Sequence, residues 1–122
     1  MGMSARSLPS PKVTEAQWQQ TVIDAAHAFG WDVMHVRRTI GKDRRWTTST
    51  SIVGWPDLLL FHHLHGFAAI ELKVGRNTAT TEQLRVLARL RAAGARAFVA
   101  HPDDWPRVEA LLRGLPDTTE GE

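Results

Sequence analysis

The stretch GWPDLLLFHHLHGFAAIELKV, residues 54–74, sets two acids and a lysine in a run otherwise built for a core: Asp57 after a proline, then Glu71 and Lys73 two residues apart. DLLLFH and FAAIELKV read as strands separated by the turn-like HLHG. Side chains alternate along a strand, so Glu71 and Lys73 share one face while Ile70, Leu72 and Val74 take the other. A hairpin centred on Leu64, with Gly66 relaxing the turn, leaves Asp57 and Glu71 equidistant from the centre and therefore opposed. Opposed residues of an antiparallel pair have Cβ atoms roughly 4.5–5.5 Å apart. The convergence depends on that turn, because a slip of one residue sends every side chain to the other face.

Two close carboxylates repel, and removing them from water is costly unless a cation compensates. Mg²⁺ or Mn²⁺ fits, because hard cations take oxygen ligands, and Mg²⁺ commonly uses one or two carboxylates with water and phosphate. Lys73 would then stabilise charge building on a phosphoryl transition state or position the attacking water. The same three residues would also make an ordinary ion-pair cluster at a sheet margin.

The elements that must position them follow from pattern. Thr14 and Gln17 have capping-box spacing, and a helix from there to Phe29 carries Trp18, Val22, Ala25 and Phe29 as its apolar stripe before Gly30 stops it. Glu15 opens that stripe, where it either complements the helix dipole or points into a site. WDVMHVR (31–37) reads as a strand, and the polar, basic segment 38–54 as a long loop or irregular hairpin. A second helix starts at Thr81 behind the Thr80/Gln83 capping pair and ends at Gly94. Its expected inward residues are Leu84, Leu87 and Leu90, with Glu82, Arg85 and Arg89 outward. RAFVAH (96–101) is the next strand, and PDDWPRVEALLRG a closing helix capped by an aspartate. The order α-β-β-β-α-β-α predicts an α/β fold, a mixed sheet flanked by helices.

The 122 residues suit one domain, with tails expected at 1–12 and 115–122 around a body at 13–114. Cysteine is absent, which excludes disulfides and cysteine-based zinc sites. No apolar run looks like a signal or a membrane span, so a soluble, cytoplasmic protein without a membrane partner is expected, in the host cytoplasm were it phage-encoded. Net charge is +2, yet the pI is about 9.7. Arg37, Arg38, Lys42, Arg44 and Arg45 concentrate basic charge within residues 37–45, which suits either a polyanion such as nucleic acid or a solvated loop.

GWPD followed by IELK, after a helix bearing Glu15 and before one bearing Gln83, resembles the PD-(D/E)xK nucleases and, among them, the VRR-NUC (virus-type replication-repair nuclease) family. The resemblance spans about residues 13–101 and rests on Gly54, Pro56, Asp57, Glu71, Lys73 and Gln83 in order. It implies a restriction-endonuclease-like fold and a Mg²⁺- or Mn²⁺-dependent DNA endonuclease. Asp57 and Glu71 would hold the metal with the Leu72 carbonyl, Lys73 would be the catalytic lysine, and Glu15 would support the metal directly or through water. Gln83 would reach the site, although its spacing also fits a cap alone. Stand-alone members resemble phage Holliday-junction resolvases, which implies a homodimer acting on branched or junction DNA. A nuclease of other specificity, nickase or restriction-type, and an inactive nucleic-acid-binding module are the alternatives.

Other residues carry weaker signals. His62, His63 and His65 lie in the hairpin turn, roughly 17 Å from Asp57 at ~3.3 Å per strand residue, and make either a solvated turn or a separate zinc site. His35 reads as structural, Trp18 and Trp31 as core, and Trp105 as packing for the last helix. Trp46 and Trp55 either pack beside the site or stack on an unpaired base. Arg37, Arg38, Lys42, Arg44 and Arg45 would bind phosphate, with Trp46 among them. Arg85 and Arg89 either bind DNA or solvate their helix.

Overall fold

Each of the two long helices begins where the sequence supplies a capping box. The computed structural model describes residues 12–36, 38–40, 46–48 and 52–117, with backbone alone at 38–40 and 46–48. Helix α1 spans Glu15–Ala28, with the Gln17 N–H donating to Thr14 Oγ1 at 3.1 Å and the Thr14 N–H to Gln17 Oε1 at 2.9 Å. Helix α2, Thr81–Ala92, repeats the device: the Gln83 N–H reaches Thr80 Oγ1 at 3.1 Å and the Thr80 N–H reaches Gln83 Oε1 at 2.8 Å. Each box satisfies two of the orphan N–H groups of a helix start. Helix α3, Trp105–Leu112, follows a 3₁₀ turn at Pro102–Asp104. Asp104, the expected cap of α3, instead accepts the His101 N–H at 2.9 Å, so it closes the 3₁₀ turn and leaves α3 without a side-chain cap.

Four strands make the main sheet: β1 (Asp32–His35), β4 (Leu58–His62), β5 (Gly66–Leu72) and β6 (Arg96–Ala100), in that spatial order. The β1–β4 and β4–β5 pairings are antiparallel, while β5–β6 is parallel, with α2 as the crossover. With their helices these strands give the expected α-β-β-β-α-β-α mixed sheet. Within segment 38–54, β2 (Arg38–Ile40) and β3 (Trp46–Thr48) form a separate antiparallel ribbon. Arg38 and Trp46 are its backbone partners of Thr48 and Ile40, while Arg37, Lys42, Arg44 and Arg45 lie outside the described residues.

Helices α1 and α3 cover one sheet face and α2 part of the other, which is why the central strand sequences lack polar alternation. On one face α1 and α3 pack Trp18, Val22, Ala26, Val108 and Leu111 against Leu58, Leu60, Ile70, Leu72 and Phe98. Each fully buried leucine, isoleucine or valine there contributes roughly 1.5–3 kcal/mol. The indoles double as anchors: Trp18 Nε1 donates to the Ala100 carbonyl and Trp31 Nε1 to that of Leu112, both at 3.0 Å. Trp105 meets Trp18 edge-on at 6.3 Å between centroids. On the other face α2 sets Leu87 against Ala69 and Ala97.

The inward stripe of α2 differs from expectation. Leu84 is 52% exposed. The buried positions are Gln83, Val86 and Leu87, with Leu90 packed beside them. Those four fall at i, i+3, i+4 and i+7, one helical face, and putting the amide inward rotates Leu84 out.

Of the tails, residues 1–11 and 118–122 lie outside the described residues. Leu115 to Asp117 lie along α3, where the Leu115 N–H bonds the Ala110 carbonyl at 2.8 Å and Asp117 pairs with Arg107 at 2.9 Å. Among the described residues no helix is long and apolar enough to cross a membrane.

Candidate active site

The hairpin pairs Leu58 with Ile70, Leu60 with Ala68 and His62 with Gly66, a register centred on Leu64. Extending it by one residue sets Asp57 opposite Glu71, just past the last ladder pair, and the two are bonded. The Asp57 N–H donates to Glu71 Oε1 at 3.2 Å, and the Leu72 N–H donates to Asp57 Oδ2 at 2.9 Å. Pro56 sits just before, where it asks for no amide partner. The Val36 N–H ties the Asp57 carbonyl to the end of β1 at 2.9 Å.

Glu71 is fully buried, 0% exposed, and Asp57 and Gln83 are 5% exposed each. A buried carboxylate must have its charge answered by donors. Lys73 Nζ lies 3.3 Å from Glu71 Oε2, its side chain 13% exposed. Gln83 Nε2 donates to the same oxygen at 2.9 Å. Gln83 thus fills both roles its position suggested: its oxygen caps α2, and its nitrogen holds Glu71. The start of α2 is thereby fastened to the acid on β5.

The main chain contributes a third oxygen. The Lys73 N–H donates to the Ala100 carbonyl at 3.1 Å, toward β6. The chain has no cis peptide among its described residues. In a trans peptide C=O and N–H point oppositely, so the Leu72 carbonyl faces away from β6, to the side of Asp57. Two carboxylates and this carbonyl make an all-oxygen set suited to Mg²⁺ or Mn²⁺. No cluster of three or more His, Asp or Glu forms a metal-binding group among the described residues.

Glu15 opens α1 on its exposed end. Burial on α1 begins at Trp18, so the whole first turn, Glu15 included, is exposed. Glu15 lies one turn before the Trp18 indole, which shares the Ala100 carbonyl with the Lys73 amide.

Sequence reasoning missed three features beside the acids. Gly54, at φ +88°, packs so closely on α2 that a Cβ would stand 2.6 Å from the Glu82 carbonyl carbon and oxygen. A cleft of about 720 Å³ opens past the ends of the parallel strands, lined by Lys12, Val74, Arg76, His101 and Asp103. That edge is where open α/β sheets commonly bind ligands, and Gly75-Arg76 directly after the lysine strand was the only sequence sign of it. Trp55 walls a smaller cavity, and nothing in its local sequence announces one.

The histidine turn is a stack. His62 lies 4.2 Å from His65 and 4.7 Å from His63 between ring centroids, and 5.3 Å from the buried Trp31. Stacked rings hold their in-plane lone pairs side by side, not toward one point, and His62 Nδ1 already accepts the Leu64 N–H at 3.0 Å. Lost hydration, then His65 and His63, hold His62 below the ordinary imidazole pKa of 6.5. The unfolded chain therefore binds this proton more readily, so the stability His62 confers is complete above about pH 6.5 and lost as pH falls below it. Urea midpoints at pH 7.5 and 5.5 check this: the midpoint should drop at pH 5.5, and less so in His62→Gln.

Comparisons with protein-family models, with curated proteins and with solved structures find no match to this chain.

Proposed function

We propose that this protein is a metal-dependent DNA endonuclease that hydrolyses phosphodiester bonds, acting on branched DNA. The observation that carries the reading is the buried convergence of Asp57 and Glu71 with Lys73 3.3 Å from Glu71. The resemblance of GWPD and IELK to the VRR-NUC nucleases supports it. Asp57, Glu71 and the Leu72 carbonyl would hold Mg²⁺ or Mn²⁺, which when bound supplies Lewis-acid polarisation of the phosphate and a more acidic water. Gln83 and the Asp57 amide fix Glu71 so that its oxygens need no reorganisation during the reaction. Lys73 presents its ammonium where a nonbridging phosphate oxygen gains charge. A pure binder gains nothing from carboxylates facing phosphate.

Resolving a four-way junction needs two sites related by symmetry, hence a homodimer. Exposed Met34, Phe61 and Phe67 fall on one sheet face and offer an apolar surface for pairing.

The test is a cleavage assay in Mg²⁺ and in Mn²⁺ on a labelled four-way junction, a linear duplex and a single strand, with Lys73→Ala as contaminant control. Paired symmetric cuts in the junction are expected. Cutting of every substrate alike removes the junction specificity, and binding without cutting under either metal removes the nuclease.

A further inference from the structure

Two residues before Asp57, Trp55 walls a cavity of about 310 Å³ shared with Ile52 and with Arg85, Val86, Arg89 and Leu90 of α2. That volume is at the lower end for small-molecule sites, about 300–1,000 Å³. Trp55 Nε1 is buried with no hydrogen-bond partner among the described residues. Among the described residues no hydrogen bond therefore anchors the ring, whose hold on this wall is packing alone. Val86 and Leu90 give an apolar floor. Arg85 and Arg89, one turn apart and exposed, form no ion pair among the described residues.

An aromatic wall, an apolar floor and two guanidiniums match one ligand chemistry. A nucleobase offers a π-face to stack on the indole, and its flanking phosphates suit arginine. The Gly54 contact on α2 joins the loop carrying Trp55 and Asp57 to the helix carrying both arginines, so cavity and acids keep a fixed relation. We propose that this cavity receives one unpaired base of the strand whose phosphate lies at Asp57 and Glu71, an assignment that rests on the nucleic-acid reading of that site. A paired base would first have to leave its stack, so the cavity selects DNA already unpaired there.

The test is fluorescence anisotropy in EDTA, which prevents cutting, comparing a paired duplex with the same duplex carrying one bulged base. The wild type should bind the bulge roughly tenfold more tightly, the scale of one base–aromatic stack. Trp55→Leu should bring the ratio to about one, while Trp55→Phe should keep most of it. Equal binding of both duplexes by the wild type, or an unchanged ratio in folded Trp55→Leu, overturns the proposal. Should Trp55→Leu not fold, a bulged 2-aminopurine on the wild type decides: quenching supports stacking, and fluorescence equal to the free bulge refutes it. Excess nucleoside monophosphate should leave the preference standing, and full competition would reassign the cavity to free nucleotides. A protein that keeps this preference yet never cuts with Mg²⁺ or Mn²⁺ loses the nuclease and keeps the cavity. One that cuts bulged and paired DNA alike, at a ratio of one, loses the cavity alone.

Discussion

Lys73→Ala is expected to lower DNA cleavage by at least about 10²–10³-fold, the loss typical when one preorganised charge-stabilising donor is removed. The lysine lies 3.3 Å from a fully buried carboxylate. Its removal therefore also costs stability, within the roughly 3–5 kcal/mol found for breaking one side of a buried pair. Asp57→Asn separates the two effects. Asparagine still offers an oxygen to the Leu72 N–H, which donates to Asp57 Oδ2 at 2.9 Å, so stability should stay within about 1 kcal/mol. Cleavage should nevertheless be lost. The wild type should also gain about 2.7 kcal/mol of stability from Mg²⁺ at a hundredfold excess over its Kd, a gain absent in Asp57→Asn. Circular dichroism melts alongside the cleavage assay check both, and a folded variant of either kind cutting at the wild-type rate would sink the mechanism.

Gly54→Ala should be strongly damaging although it touches none of Asp57, Glu71 and Lys73. At φ +88° an alanine pays left-handed strain of about 1–2 kcal/mol. Its Cβ would also stand 2.6 Å from the Glu82 carbonyl and 2.8 Å from the Gln83 nitrogen, backbone atoms that cannot swing aside. Overpacking of that kind costs typically 1–3 kcal/mol more. The total, about 2–5 kcal/mol, is a large share of the 5–15 kcal/mol that holds an ordinary domain together. The chain can escape only by moving the loop off α2, which pulls Asp57 away from Gln83. Cleavage should fall with stability, and adding back stability with an osmolyte should not restore the rate. A melting temperature equal to the wild type would refute the close contact.

The parts of this architecture legible in the sequence are those governed by short-range periodicity. Asp57 and Glu71 could be opposed from their spacing about Leu64 because a hairpin's register is a property of its own turn. The capping boxes at Thr14 and Thr80 could be read because each involves residues three apart. The failures share another cause. Leu84 was placed inward on hydrophobicity, but the inward position went to Gln83, which has a buried carboxylate to satisfy on a different strand. Asp104 has a cap's composition, yet the 3₁₀ turn ahead of α3 claims its oxygen. The β2–β3 ribbon has three-residue strands, too short to show a period of two. Gly54 lying on α2, the Trp55 cavity and the cleft beside Arg76 all depend on segments brought together only by the tertiary fold.

The Ala100 carbonyl accepts both the Trp18 indole N–H, from 82 positions earlier in the chain, and the Lys73 amide. One oxygen thus clasps the first helix, the lysine-bearing strand and the final strand. Exchange of the Lys73 amide with solvent deuterium requires that clasp to open, which places it among the amides released only by the larger openings of the chain, not by local fraying. Slow exchange at the Lys73 amide is therefore the expected mark of that clasp, read by hydrogen–deuterium exchange. Adaptation to substrate falls to side chains, since Gly54 also holds the loop ahead of Asp57 against α2.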